Sequence, residues 1–471
     1  MISSCPMAVK RAFLLDAVWP ALLAFLLYLP SVDGAPIWDD HNLLMNNTRV
    51  ADMTVREAFT TDFWGRQNLP DGRHVLHYRP LALLAYTAVF RTFGTDPVVV
   101  HLTDVLLHSL ATFAFSCLLS GLAFKRGICG AAAFLFAVHP VHVEAVSWMS
   151  GMSETLAAAA ILSCLALYVY GKRGWSFLFA AAAMLMKESA AVIPVLIFLL
   201  EGWRSWRPSA APCWRTAARA AASYVPLAIA YLVARSLVLP PLPSAQFQTL
   251  FHAGWPFLPA VFGRYVSLLF FPWPMAFCYD LHDWTIPLLG MGIVAAWIVI
   301  AWKAKSIRHD LLLPGALLLV FLSVPVLTSP LLTDDSQVQD RYAYLASAAA
   351  CLALAVLLNR LSNRLSNRLS LSPRLILLLV LISVAAVATL RQERVWRSEE
   401  SLWTNALKVT PSAELASYRL SAELVRQGRT AETIRVCRSA LRYHPDSKKF
   451  QDCVGWSERD LEFLRRHLDA F

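Results

Sequence analysis

Long apolar stretches recur along the chain, and most have the length of one membrane crossing. Ten of them are residues 12–30, 98–121, 127–144, 152–170, 174–201, 217–239, 285–302, 311–329, 341–358 and 374–390. A helix needs about 20 apolar residues to cross a bilayer. The stretch 174–201 carries Lys187 and Glu188 at its middle, where charge is costly in a membrane. We therefore predict two short helices there, and eleven crossings in all.

The remaining segments predict interfacial helices and a helical tail. The apolar stretches 79–93 and 256–274 are interrupted by arginine or proline, as in helices that lie on a membrane surface. Residues 391–471 are polar with helical spacing, and the segments LKVTP and LRYHP end on prolines 34 residues apart. That is the period of a tetratricopeptide helix pair. Cys437 and Cys453 in this tail are candidates for a disulfide if it lies in an oxidising compartment.

The composition supports a multi-pass membrane protein. Of the 471 residues, 57% are hydrophobic and 16% are charged, whereas ordinary soluble domains have about 25% charged residues. This excludes a disordered chain and a plain soluble enzyme. The net charge of +10 does not indicate nucleic-acid binding, because the basic residues are not gathered on one aqueous face. The nine cysteines form no CxxC pair, so we expect no zinc cluster, and nothing indicates another cofactor.

Basic residues predict the orientation of the crossings. Alternate loops carry most of the lysines and arginines outside the tail, whereas the loop 31–96 has six basic and eight acidic residues. Loops rich in Lys and Arg lie on the cytoplasmic side. We therefore predict a cytoplasmic N-terminus, with the loop 31–96 and the tail on the periplasmic or lumenal side. The first stretch is longer than the apolar part of an ordinary signal peptide, so we take it as the first crossing.

An acidic pair, Asp39 and Asp40, opens the loop 31–96 directly after the first crossing. A base that deprotonates a hydroxyl must be ionised and within hydrogen-bond reach, and a neighbouring carboxylate can orient the substrate. The pair is therefore a candidate catalytic site. Taken alone, it is more typical of an ordinary solvated start to a loop.

Two clusters of histidine and acidic residues are further candidates for a substrate cavity. His139, His142 and Glu144 end the third crossing, in the segment HPVHVE. His101 and Asp104 lie on one face of the second crossing, and ionisable groups inside membranes are frequently functional. The alternatives are capping and packing at a helix end for the first cluster, and a hydrogen bond within the bundle or a metal site for the second.

Three charged residues are candidates for binding a phosphate group. Lys187 and Glu188 lie between the two predicted half-length helices, and Arg341 opens the tenth crossing. Arg offers a bidentate donor to phosphate and Lys a point charge. The alternative is that these long side chains reach for water from helix ends.

Several motifs together resemble one family. Six motifs follow one another along the chain. They are an acidic pair in the first outside loop, YRPL (Tyr78 to Leu81, including Arg79), HLTDVLLH, FAVHPVHVEAVSWMSGMSE, LMKE and VQDRYAYL. This order resembles that of the transmembrane and tetratricopeptide-repeat O-mannosyltransferases, and more broadly the chain looks like the GT-C glycosyltransferases. The resemblance covers about residues 12–390 and the repeat-like tail.

The resemblance implies an all-α fold: a GT-C-like transmembrane domain at 1–390 and a tetratricopeptide-like tail at 391–471. It implies transfer of a monosaccharide from a polyprenyl or dolichyl phosphate to a hydroxyl of a protein or glycan, with inversion at the anomeric carbon. The reaction would take place at the outer face of a bacterial inner membrane or at the lumenal face of the endoplasmic reticulum. Asp39 would be the base, supported by Asp40, and Arg341, Lys187 and Glu188 would contact the phosphate. The short tail departs from the family's long repeat array, and no motif identifies mannose.

Two other functions fit parts of the same pattern. A polyprenyl-lipid transporter or flippase would use the intramembrane His and Asp as a proton relay and the two half-helices as a substrate site. A non-catalytic membrane scaffold would present the tail to partners. Inverted repeats would support a transporter, and the sequence shows none. The acidic pair is intact, which argues against a non-catalytic scaffold.

Overall fold

The protein is helical throughout the part of the chain that its computed structural model describes. That part comprises residues 7–64, 77–206, 213–239, 248, 252, 254–303, 308–331, 337–365 and 373–455. The predicted tail residues 456–471 and the loop residues 65–76 lie outside it. Its α-helices are Met7–Tyr28, Thr48–Asp52, Val55–Thr60, Pro80–Phe93, Pro97–Gly121, Arg126–Ala137, Val143–Ser147, Met152–Val169, Arg173–Met186, Ile193–Ser205, Trp214–Ala222, Val225–Val238, Leu258–Phe270, Thr285–Lys303, Arg308–Thr328, Tyr344–Leu365, Pro373–Val395, Glu399–Val409, Glu414–Arg426, Thr430–Ala440 and Lys448–Gly455.

The helices confirm a polytopic all-α membrane protein. Eight helical segments of the described chain are long and apolar enough to cross a membrane, and a bent pair makes a ninth. The two helices predicted from the stretch 174–201 are both present, although each is shorter than one crossing: Arg173–Met186 and Ile193–Ser205. Of the eleven predicted crossings, at most nine are therefore long enough in the described chain to span a membrane, and the other two are these half-length helices.

The predicted break at Lys187 is present. Lys187 has an extended backbone (φ −159°, ψ 140°), a 3₁₀ turn follows at Glu188–Val192, and the second half-helix starts at Ile193 with Pro194 in its first turn. Proline suits a first turn because it has no backbone N–H to leave unpaired. The break places the charged pair at the facing ends of two helices.

The third crossing bends by 45° between Arg126–Ala137 and Pro140–Ser147. His139 at the bend is extended and Pro140 starts the next turn, because proline cannot continue the preceding helix. The whole segment from His139 to Gly151 is buried. A short irregular segment is thus enclosed by the bundle directly before the helix Met152–Val169.

Small residues allow the central helices to pack closely. Pro97–Gly121 lies against both Met7–Tyr28 and Met152–Val169, and the stretch Ala157 to Ala160 of the last helix is buried. Helices in membranes approach closely where their side chains are small. The loop 31–96 forms its own apolar cluster on this bundle, in which Leu43, Leu83 and Tyr86 are buried.

The predicted tail is joined to the bundle. The last long helix, Pro373–Val395, extends across the predicted boundary at residue 390. Trp403 of the first tail helix is fully buried in the main core. Thr410 donates a hydrogen bond to the carbonyl of Cys278 (2.9 Å), and Asn405 donates one to that of Met275 (2.9 Å). The first tail helix therefore shares the core of the membrane part.

The orientation predicts which sites a membrane-impermeant thiol reagent can reach. In a Cys213→Ser background, a cysteine at Ser205 should be labelled only from the cytoplasm and a cysteine at Ser412 only from the opposite side, because Lys and Arg bias orients the helices. Labelling in sealed right-side-out and inside-out vesicles measures this. Labelling of position 205 from the non-cytoplasmic side would contradict the predicted topology.

Candidate active site

The loop that follows the first crossing is fixed by Asp40. Its Oδ1 accepts hydrogen bonds from the backbone N–H (2.8 Å) and hydroxyl (2.5 Å) of Ser150, and its Oδ2 accepts one from the backbone N–H of Ile37 (3.0 Å). Asp40 is fully buried. Burial raises the pKa of Asp40 to about 7, although the hydrogen bonds from Ile37 and Ser150 oppose the rise. Asp40 therefore joins the loop to the segment after the bent crossing.

Asp39 is the available carboxylate of the pair. It is half-buried and lines a cavity of about 110 Å³, and its side chain accepts no hydrogen bond within the described chain. Burial raises the pKa of Asp39 to about 6; Arg341 and Arg419 lower it, and Glu399 raises it. A carboxylate of this kind is mostly ionised at neutral pH and has free lone pairs for a proton.

Three cations line the same cavity, and each is paired with a glutamate. Arg341 forms an ion pair with Glu144, and Lys187 forms one with Glu154. Arg79 donates to Glu188 through Nε (2.9 Å) and Nη2 (2.6 Å). The structure thus brings together Asp39 and five of the other predicted site residues, and adds Glu154. The five are Arg79, Glu144, Lys187, Glu188 and Arg341.

Aromatic rings hold two of these cations in place. The guanidinium of Arg341 lies over Trp148 and Tyr342, each 4.7 Å from the ring centroid. Nζ of Lys187 lies 4.9 Å from the centroid of Tyr342. Such contacts stabilise a partly desolvated cation. Both cations therefore face the cavity from fixed positions.

A second, mostly apolar cavity of about 210 Å³ adjoins the first. The two share four lining residues: His77, Glu154, Lys187 and Tyr342. Its other walls include Val192, Phe321, Val324, Pro325 and Leu345. The charged residues therefore lie where a polar cavity meets an apolar one between helices.

The predicted histidine clusters do not line the polar cavity. His101 and Asp104 are buried, and Asp104 accepts a hydrogen bond from Thr155 (2.6 Å). His139 Nε2 lies 3.0 Å from the carbonyl of Leu269, and His142 Nε2 lies 2.7 Å from the hydroxyl of Ser347. These contacts fit packing and capping within the bundle, the alternative weighed for His139 and His142.

Several residues at the cavity had no sequence signal of their own. They are single polar or aromatic residues whose spacing forms no motif: His77, Ser150, Phe63 and Trp64. The segment EAVSWMSGMSE, which contains Ser150 and Glu154, was part of the family resemblance and was the available signal for two of the cavity residues. Within the described chain, no three His, Cys, Asp or Glu side chains are grouped as a metal site.

Asp40→Asn should destabilise the protein by about 1–3 kcal/mol, the cost of an unsatisfied buried donor. The amide nitrogen of Asn cannot accept from Ile37 or Ser150, whereas Asp39→Asn removes no hydrogen bond. Thermal melting of the two purified variants in the same detergent tests this. Equal melting temperatures for wild type and Asp40→Asn would contradict the structural role of Asp40.

Comparison with known proteins gives one consistent family name. The chain is 26% identical to protein O-mannosyl-transferase TMTC1 of Homo sapiens over 92% of its own length and 56% of that protein. It is 24% identical to protein O-mannosyl-transferase F38B6.6 of Caenorhabditis elegans over 90% of its length and 62% of that protein. A shorter match, 32% identical over 36% of the chain, is to protein O-mannosyl-transferase tmtc2 of Xenopus laevis.

The matches cover most of this chain but a smaller part of the relatives. No family model matches the chain, and no solved structure matches it. The chain spans 56 to 62% of the length of the first two relatives. Over nine-tenths of its own length, however, it is homologous to proteins named protein O-mannosyl-transferases, which confirms the resemblance that the motifs predicted.

Proposed function

We propose that this protein is a membrane glycosyltransferase that moves a monosaccharide from a polyprenyl or dolichyl phosphate to a hydroxyl of a protein or glycan acceptor. The names of the relatives indicate mannose. The observation that carries the proposal is the place of Asp39: an available carboxylate in a polar cavity with three cations, beside an apolar cavity. A lipid phosphate sugar has the matching polar and apolar parts.

In the proposed reaction, Asp39 takes the proton of the acceptor hydroxyl as its oxygen bonds to the anomeric carbon. The bond from that carbon to the phosphate oxygen breaks on the opposite face, and the phosphate leaves with the electron pair. A phosphate leaving group requires charge stabilisation rather than protonation. Lys187 and Arg341 are suited to supply it, and Glu188 serves by orienting Arg79 through their two hydrogen bonds.

The pairing of the cations has a consequence for donor binding. Each cation is already paired with a glutamate. The three carboxylates repel a negatively charged phosphate. The phosphate would have to displace a carboxylate from a cation or share the cation with it. Glu154 is the candidate for displacement, because it lines both cavities beside Lys187.

We place the reaction on the non-cytoplasmic side of the membrane. The charge bias of the loops supports this, and so does the disulfide between Cys437 and Cys453, because disulfides persist in oxidising compartments. The lipid of the donor would lie between helices while its sugar enters the cavity next to Asp39.

Purified protein incubated with a panel of polyprenyl phosphate sugars tests the proposal. We expect release of polyprenyl phosphate from one sugar donor, mannose by the relatives' names, and faster release with a suitable acceptor. The Asp39→Asn variant serves as the inactive control. Release from none of the donors, with folded protein and several acceptors, would overturn the proposed function.

A further inference from the structure

The residue before Asp39 has an unfavourable backbone conformation. Trp38 has φ +48°, in the left-handed region where a bulky side chain is disfavoured by about 1–2 kcal/mol. Such a conformation persists only where surrounding contacts impose it. The direction in which the Asp39 side chain leaves the backbone depends on these neighbouring dihedral angles. Whatever holds Trp38 therefore also holds the proposed base.

The first tail helix supplies the hydrogen bond to the backbone of Trp38, while the rings of Phe277 (4.5 Å) and Trp148 (5.4 Å) pack against its side chain from the membrane part. The backbone N–H of Trp38 donates to Oε1 of Glu399 (2.6 Å), at the start of the helix Glu399–Val409. The other carboxylate oxygen, Oε2, accepts from the indole N–H of Trp403. Glu399 is buried, and both of its oxygens are thus engaged. A carboxylate acceptor makes these hydrogen bonds stronger than neutral ones.

Neighbouring contacts reinforce the same attachment. The backbone N–H of Ala35 donates to the carbonyl of Arg397 (3.1 Å). The Trp38 ring stacks on Trp148 at 5.4 Å and contacts Trp403 edge-on at 6.2 Å. Because Trp148 also lies under Arg341, the loop, the tail and a cavity cation form one continuous packed unit.

We infer that Glu399 is a positioning residue for Asp39, through which the tail helix holds the catalytic loop of the membrane domain in its active conformation. The inference rests on the proposed function. It differs from the role that the sequence suggests for a repeat-like tail, which is binding of a partner. Glu399 touches neither cavity in the described chain, so its positioning effect is exerted through the backbone of Trp38, while its charge raises the pKa of Asp39 from a distance.

Three full-length variants test the inference. Glu399→Ala removes both hydrogen bonds. Glu399→Gln loses the negative charge but keeps one acceptor oxygen. Its amide NH₂ group then faces an N–H donor, either the backbone N–H of Trp38 or the indole N–H of Trp403. Glu400→Gln is the matched control, because Glu400 is in the same helical turn yet pairs with Arg429 in the tail (2.7 Å).

Hydrogen–deuterium exchange is the first measurement, because it requires no substrate. The amide of Trp38 is measured in peptides covering residues 35–44. It should be protected in wild type and in Glu400→Gln, because a hydrogen-bonded amide exchanges only on local opening. In Glu399→Ala it should exchange at least about tenfold faster. Unchanged exchange in Glu399→Ala would overturn the inference, whether or not the protein transfers a sugar.

Kinetics with a polyprenyl phosphate sugar are the second measurement. We expect kcat to fall about 10- to 100-fold in Glu399→Ala, the effect of a misplaced catalytic group, while KM for the donor and the melting temperature change little. Faster exchange with an unchanged kcat would also overturn the inference. If wild type itself consumes no donor, the proposed function fails, and the exchange result still decides whether Glu399 holds the loop.

A pH profile separates positioning from general stability, and it decides the outcome if Glu399→Ala does not fold. The groups that act on Asp39 are Arg341, Arg419, Glu399 and Asp40. His77, Arg79, Glu154 and Lys187 line the same cavity, and His41 lies 3.7 Å from Oε1 of Glu399. Glu399→Gln removes a negative charge that raises the pKa of Asp39, so the acidic limb of the kcat profile should move to lower pH. Glu400→Gln should leave the limb in place. Faster exchange of the Trp38 amide in Glu399→Gln together with a normal kcat would overturn the inference.

Discussion

Asp39→Asn should lower sugar transfer by about 100-fold or more, the range expected when a general base is removed, and should leave the fold intact. Asn has nearly the same shape as Asp but cannot accept the proton of the acceptor hydroxyl. The folded structure should not change, because the Asp39 carboxylate accepts no hydrogen bond within the described chain. Initial rates at saturating donor, together with melting temperature, measure both effects.

Asp52→Asn is the control for this substitution. Asp52 lies in the same loop and is exposed, so its substitution should change neither rate nor melting. The pH dependence of wild type gives an independent check. Because the pKa of Asp39 is raised to about 6, kcat should fall as the pH decreases through about 6 and the base becomes protonated. Near-normal transfer by Asp39→Asn would show that another group is the base.

Lys187→Met should destabilise the protein by about 3–5 kcal/mol, the cost of leaving one member of a buried ion pair alone. Lys187 and Glu154 are both buried, so the single variant leaves an unpaired carboxylate. Glu154→Met added to Lys187→Met replaces both partners by apolar groups, which is close to neutral. The double variant should therefore recover most of the lost stability, as measured by thermal melting.

The double variant also separates the two functions of Lys187. If the cation binds the donor phosphate, the well-folded double variant should still require at least about tenfold more donor, since a hydrogen bond or ion pair to a charged group contributes about 1.5–3 kcal/mol. Arg126→Gln with Asp16→Asn removes an exposed ion pair elsewhere and should change neither quantity. The Glu154→Met single variant is the reference, because it lacks the carboxylate that opposes the phosphate. Donor dependence in the stable double variant equal to that of Glu154→Met would assign Lys187 to structure alone.

The sequence predicted the helices well because the features that set them are local. A stretch of apolar residues predicts a crossing whatever its partners are, and charge in its middle predicts a break, as at Lys187. Proline acts within one helical turn, which accounts for the bend at Pro140. A change in composition does not end a helix, because the helix Pro373–Val395 turns from apolar to polar without a break.

Pairing between distant residues was not predictable. Arg341 and Glu144 are 197 positions apart, and Arg79 and Glu188 are 109 apart. Each residue alone is a charged group near a helix end, and the sequence contains many of these. Which carboxylate meets which cation depends on how the helices are packed and rotated, and a single sequence carries no record of that packing.

The sequence by itself determined that this is an all-α, multi-pass membrane protein with a helical tail, and its motifs indicated Asp39, Lys187 and Arg341. Only the tertiary structure decided that Asp40 accepts hydrogen bonds from Ser150 and that Glu399 accepts one from the backbone of Trp38, 361 positions away. The physical reason is range. Hydrophobic periodicity and helix breaking act over a few residues, whereas the position of a catalytic side chain depends on contacts between segments that only the folded chain brings together.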